Sequence, residues 1–165
     1  MGDSMDLNWL LGFIEGEGSF VVTIHKQYGH KWGICTQPKF TICLGRWDLE
    51  TLEEIQTFLL EDYNIESRIE HRNRDNNNQL VINKVESCFN LIPLLNNLEW
   101  HTNKRRDYNI WSYIVGMVLR KEHKTKDGLL KIFLLREEMN KNTNRRNTQG
   151  KNDVLREEIL KIGGD

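Results

Sequence analysis

The chain has 165 residues, 38% of them hydrophobic and 28% charged, with a formal net charge of −1, which suits one globular domain with a substantial core. That charge excludes a uniformly basic nucleic-acid binder, so any such binding has to come from local clusters. No apolar run approaches the roughly 18 residues of a bilayer span and no secretory pattern opens the sequence, so a soluble, intracellular protein without a membrane partner is expected, its host compartment left open.

In chain order, Asp6 reads as the N-cap of a helix that starts at Leu7 and is apolar nearly all round to Ile14, the pattern of a helix covered on more than one side. Gly12 and Gly16 lie four apart on one stripe, each costing about 1 kcal/mol of helix propensity while letting another backbone come close. Glu17 falls at the carboxyl end, where the helix dipole disfavours an anion, beside Gly18, a helix-ending residue type. A carboxylate placed there calls for a cation. Residues 19 to 27 alternate as a strand, with Phe20, Val22 and Ile24 on one face. After a polar loop with Lys31 and Trp32 at its tip, a second strand runs from about 34 to 44, where Pro38 suggests a bulge.

Residues 48 to 60 form an amphipathic helix with Leu52, Ile55 and Leu59 inward and acids in the first turn. Two strands follow at 66–72 and 79–84, joined by a turn rich in asparagine, with Ile69, Leu80 and Ile82 inward. Helices are expected at 86–95, 104–121 and 125–140, then a linker to 152 and a short terminal helix at 153–162. The order is that of an α+β fold: an antiparallel sheet covered by helices on one face, its other face unusually polar. Cys35, Cys43 and Cys88, odd in number and without Cys-x-x-Cys spacing, read as reduced thiols.

The segment from Leu10 through Gly12, Phe13, Glu15, Gly16 and Glu17 to Gly18 resembles the signature of the LAGLIDADG homing endonucleases. Three more segments resemble the family: Phe40 to Leu49, Lys104 to Trp111 and Glu122 to Leu129. The resemblance spans roughly residues 6 to 146. It implies the αββαββα fold with a saddle-like DNA-binding surface, a domain over 1–146 and a C-terminal linker with a short helix over 147–165. It further implies an intron-encoded, site-specific DNA endonuclease of the single-motif, homodimeric type, which hydrolyses both strands of a long near-palindromic duplex with divalent metal, Mg²⁺ above all.

By resemblance Glu17 is the metal-binding acid, with the Gly16 backbone carbonyl as a second oxygen, and Lys104 is the cation near the scissile phosphate. Hydrolysis of a phosphodiester needs such groups, because negative charge builds on the phosphate and the departing 3′ oxygen. Glu15 lies two positions from Glu17 and points nearly the opposite way, so it reads as structural or rim-facing. The stripe of Leu10, Gly12, Phe13 and Gly16 is expected to be the dimer seam. Ser19, Val21, Thr23, His25, Gln27, Gln37, Lys39, Thr41, Arg72, Gln79 and Asn83 are expected to face bases in the major groove. Lys31, Arg46, Arg105, Arg106, Arg145 and Arg146 are expected on phosphates. Family members of this kind carry a polar Gln where Leu44 stands, so no residue is assigned to position the water. An RNA-binding maturase acting on the host intron RNA and a non-cleaving DNA-binding regulator remain alternatives.

Overall fold

A computed structural model describes residues 5–139 and 149–163. The elements run α1 (Leu7–Glu17), β1 (Gly18–Lys26), β2 (Ile34–Gly45), α2 (Leu49–Tyr63), β3 (Arg68–Arg72), β4 (Asn77–Ile82), α3 (Val85–Asn96), α4 (Lys104–Leu119), α5 (Lys126–Glu138) and α6 (Gln149–Lys161). This is the α+β order read from the sequence. The strands form one antiparallel sheet in the order β1-β2-β4-β3. No described helix is long and apolar enough to cross a membrane.

Strand register explains which side chains are buried. Phe20 pairs with Phe40, Phe40 with Ile82, and Ile42 with Leu80, which in turn faces Ile69. With period-2 alternation these all point to the helix-covered face. Phe20, Phe40, Tyr108 and Trp111 meet there at ring separations of 4.9 to 6.5 Å. Their polar handles are satisfied: Trp111 Nε1 donates to the Lys39 carbonyl at 3.1 Å, and the Tyr108 hydroxyl donates to Asn96 Oδ1 at 2.8 Å. Burial pushes that phenol up to about 12, so it stays protonated as the bond requires.

The bulge expected at Pro38 is absent. β1 and β2 pair without a break from Gly18–Ile42 to Lys26–Ile34, with Pro38 opposite Val22. β4 ends opposite Phe40, so on that flank no strand requires the N–H that proline lacks. The last two strands are also displaced from expectation: they start at 68 and 77, because the tight turn takes only residues 73–76, with Asn76 at φ 50°. Asparagine is tolerant of that left-handed region, and this lets the ladder extend through Asn77 and Asn78.

The segment 147–165 contains α6, which starts at Gln149. Leu155 and Ile159 join the same core as the sheet, and the α6 carboxylate of Glu158 pairs with Lys26 at the end of β1.

Candidate active site and nucleic-acid interface

α1 has two faces of different character. Leu10, Leu11 and Ile14 are buried on the domain core, at 0%, 2% and 1% exposure. Gly12 and Gly16 lie on the other side, where a Cβ would meet nothing within 4 Å. Trp9, 46% exposed, stacks on Phe13 at 5.1 Å along the same open side. This corrects the expected seam at one residue. Leu10 is buried entirely within its own chain, because the helix turns positions 10, 11 and 14 inward, while Gly12, Phe13 and Gly16 remain on the open stripe.

Asp6 caps the helix as read, accepting from the Asn8 and Trp9 amides at 2.7 and 3.3 Å. At the other end Gly18 is extended, with φ −76° and ψ 152°, so no left-handed turn demands a glycine. Space does: a Cβ at Gly18 would lie 2.5 Å from the Ile14 carbonyl oxygen. The helix therefore passes directly into β1, and Glu17 is exposed at the junction. Among the described residues no side chain hydrogen-bonds the Glu17 carboxylate.

The cation called for by that carboxylate is Lys104, at the first position of α4. Its Nζ donates to the Gly18 carbonyl at 2.6 Å and the Ile14 carbonyl at 3.2 Å. It thus lies at the carboxyl end of α1, sharing the Ile14 carbonyl with the Gly18 N–H, where the helix dipole favours a positive charge. Burial pulls its pKa below the ordinary lysine value, against the attraction of Glu17, Glu15 and Asp107. Two of the three ammonium donors are spent on backbone, leaving one for another group. Glu15 turns the other way. Its Oε1 accepts from the Thr102 amide at 2.6 Å, the Thr102 hydroxyl at 2.7 Å and the His101 amide at 3.0 Å. Burial raises its pKa, but these hydrogen bonds outweigh it and hold the group below the usual carboxylate range.

The donor set suits a hard divalent ion bound in an open way. Among the described residues no group of three His, Cys, Asp or Glu side chains forms a metal cage. Mg²⁺ keeps several waters and needs one or two carboxylates plus substrate phosphates. Glu17 could supply one carboxylate, and the Gly16 carbonyl lies in the last helical turn, beyond the reach of intrahelical donors.

The uncovered sheet face carries the residues that alternation assigned to it. Ser19 sits opposite Thr41 and Thr41 opposite Val81; Val21 faces Lys39, Thr23 faces Gln37, and Cys43 faces Gln79. His25 and Arg72 are exposed toward the strand ends, Gln27 follows the end of β1, and Asn83 follows β4. Thr41 and Gln79 form the floor, only 3% and 7% exposed, and the Oε1 of Gln79 has no partner among the described residues. Gln37 and Asn83 are partly engaged already: Gln37 Nε2 donates to the Asn83 carbonyl at 3.4 Å, and Asn83 Oδ1 accepts from Arg68 at 2.7 Å.

Arg68 is a residue that sequence reasoning placed near this face without selecting it. Its guanidinium is braced by Glu70 at 2.6 Å and by Asn83, and the same parity rule that selected Arg72 would have found it.

The basic residues divide between the two ends of the sheet. Lys31 lies over the Trp32 ring in the β1–β2 connection, while Arg46 lies over the exposed Trp47 just past β2, at the Glu17 end. Arg105 and Arg106 are exposed on the first turn of α4, with Arg106 paired to Glu138 at 3.5 Å. Arg145 and Arg146 lie outside the described residues. The helical side of the molecule carries the compensating charge. A groove between α1 and α2 is lined by Asp6, Glu50, Glu53, Glu54, Glu61 and Asp62, with Trp9 and Phe58. With those six acids gathered in one groove, a net charge of −1 leaves the remainder of the chain positive.

Comparison with known proteins gives a consistent result. A family model described as LAGLIDADG endonuclease matches residues 10–115. The chain is 32% identical over 139 residues, 81% of its length, to a Neurospora crassa protein named probable intron-encoded endonuclease 2. It spans 29% of that relative, and less than a third of each curated relative it matches. Among solved structures it resembles the homing endonuclease I-TnaI, with TM-score 0.81 and 26% identity over 94% of this chain and 99% of that one. It also resembles the archaeal intron-encoded homing endonuclease I-Vdi141I in complex with DNA, with TM-score 0.80 and 27% identity over 94% of each chain.

Proposed function

The chain belongs to the LAGLIDADG endonuclease family, and from that premise we propose that it is a site-specific endonuclease acting as a homodimer on a long, near-palindromic DNA duplex. The observation that carries the reading is the Glu17–Lys104 junction. An exposed carboxylate and a backbone-anchored ammonium share one helix end, beside an open sheet face that carries hydrogen-bonding side chains. The sheet lies along the major groove, where Thr, Gln, Asn, Lys and Arg side chains distinguish base pairs by their donors and acceptors. Lys31, Arg46, Arg105 and Arg106 engage phosphates and fix the register.

A divalent ion, most simply Mg²⁺, supplies neutralisation of the charge that builds on the phosphate and the leaving 3′ oxygen. Glu17 and the Gly16 carbonyl would hold it, and the remaining Lys104 N–H would serve the phosphate or the attacking water. Leu44 cannot orient a water, so that task falls to Lys104 and solvent.

A second copy completes the assembly. Each chain carries one motif, a double-strand cut needs an acid for each strand, and the open stripe of Gly12, Phe13 and Gly16 lets two α1 helices approach closely. Two-fold symmetry in the protein then calls for two-fold symmetry in the target.

The test is selection of cleaved sites from a randomised duplex pool with Mg²⁺, followed by Glu17→Gln on the selected site. The expected result is a near-palindromic site, with cleavage lost and binding retained in Glu17→Gln. Cleavage at the wild-type rate by Glu17→Gln would overturn the catalytic assignment.

A further inference from the structure

The proposed chemistry leaves one acid of the motif without a role. Glu15 neither faces the open sheet nor shares the exposure of Glu17, yet its carboxylate gathers three hydrogen bonds from residues 86 and 87 positions away. Those partners, His101 and Thr102, sit at the entry to α4. The N-cap residue Asn103 makes no side-chain hydrogen bond to the helix. Thr102 Oγ1, held by Glu15, in turn accepts from the Lys104 amide at 3.3 Å.

Two bridges therefore cross between the same pair of helix ends. One runs from α1 to the α4 entry through the Glu15 carboxylate. The other runs back from α4 to α1 through the Lys104 ammonium and the carbonyls of Ile14 and Gly18. The first fixes where the Lys104 backbone starts, and the second fixes where its charge ends. A lysine side chain has four rotatable bonds, and without a fixed origin it would not keep two carbonyl contacts at the helix end that presents Glu17.

We propose that Glu15 is a positioning residue that sets Lys104 against the Glu17 turn through Thr102 and touches neither DNA nor metal itself. The inference rests on reading Glu17 and Lys104 as the cleaving pair. A displacement of about 1 Å in a catalytic group costs on the order of 10²-fold in rate.

The test uses the full chain and the duplex selected above. DNA affinity is measured without metal, the cleavage rate is measured by single-turnover addition of Mg²⁺ to the preformed complex, and the Lys104 ammonium is followed by NMR in the free protein. Glu15→Ala is expected to cut roughly 10²-fold more slowly with DNA affinity unchanged, and to lose the hydrogen-bonded signature of the Lys104 ammonium. Glu15→Gln keeps an acceptor oxygen toward Thr102 and His101, so it should recover most of the rate and the ammonium signal. Thr102→Val removes the hydroxyl's bond to Glu15 and its bond from the Lys104 amide but leaves the two amide bonds to Glu15, and gives a smaller loss in the same direction; it carries the test if Glu15→Ala does not fold.

Wild-type cleavage by Glu15→Ala, or by Thr102→Val where that variant stands in, overturns the proposal, as does a rate loss that Glu15→Gln does not relieve. Loss of DNA binding in step with rate overturns it as well. If Glu17→Gln is inactive while Glu15→Ala is normal, only this inference fails. If Glu17→Gln cuts normally, the reading beneath it fails first.

Discussion

The two faces of the sheet are made from alternate residues of the same strands, yet they are organised on opposite principles. On the covered face, aromatic rings interlock and the polar handles of Trp111 and Tyr108 have partners, while the buried Thr36 hydroxyl on the same strand parity has none among the described residues. On the open face, Gln79 Oε1 and Asn77 Oδ1 are buried without a partner among the described residues, and Arg68 is held by Glu70 and Asn83. The covered face is closed mainly by apolar and aromatic packing, and the open face offers hydrogen-bonding groups. Unpaired buried acceptors cost stability, and their presence on the open face fits a surface kept for recognition.

Substitutions on the two faces should separate stability from function. Trp111→Ala, on the covered face, removes a buried ring and its hydrogen bond and is expected to cost about 3–5 kcal/mol, read as a lowered denaturation midpoint. Glu17→Gln is its mirror image: thermal stability stays within error while single-turnover cleavage falls by about 10³-fold, the scale of several kcal/mol of transition-state stabilisation. A Glu17 variant that unfolds, or a Trp111 variant that only loses activity, would erase the distinction.

Gly18→Ala tests the point where the two faces meet. The added methyl lies against the Ile14 carbonyl, and overpacking of that kind costs about 1–3 kcal/mol. Because the same carbonyl receives Lys104, both the melting temperature and the cleavage rate should drop.

Gln79→Met keeps the volume and removes the unpartnered oxygen. It should leave stability unchanged or slightly raised, while altering the preferred base at one position of each half-site by about 1–3 kcal/mol. Site selection with the variant checks this, and an unchanged preference would remove Gln79 from the reading surface.

The smallest effect is in pH. The Lys104 pKa is depressed, so its charge is lost on raising the pH before that of an ordinary lysine. Cleavage should decline along an alkaline limb that begins below the usual lysine range and is absent in Lys104→Met. Stability moves the other way over the same window. The unfolded chain still holds the proton that the folded chain has released, so stability rises with pH there.

Much of this was legible from residue order because it depends on local periodicity. Alternation along four short strands assigned nearly all of the open face correctly, since a strand has only two sides and one of them must be covered. The αββαββα order and the cap at Asp6 were legible for the same reason. The errors have local causes too. Pro38 suggested a bulge because the sequence does not tell where the neighbouring strand stops. Leu10 reads as a seam residue because an all-round apolar helix does not reveal which side its own core takes.

The motif by itself determined the chemistry of the α1 end: two glutamates two apart, so that one faces solvent if the other faces the domain, and a small-residue stripe that admits a second backbone. Tertiary structure alone decided what each acid meets. Lys104 stands 87 positions from Glu17, and Thr102 stands 87 positions from Glu15. No local pattern can pair residues at that separation; they are brought together by the sheet and the aromatic core, which set the entry of α4 against the exit of α1.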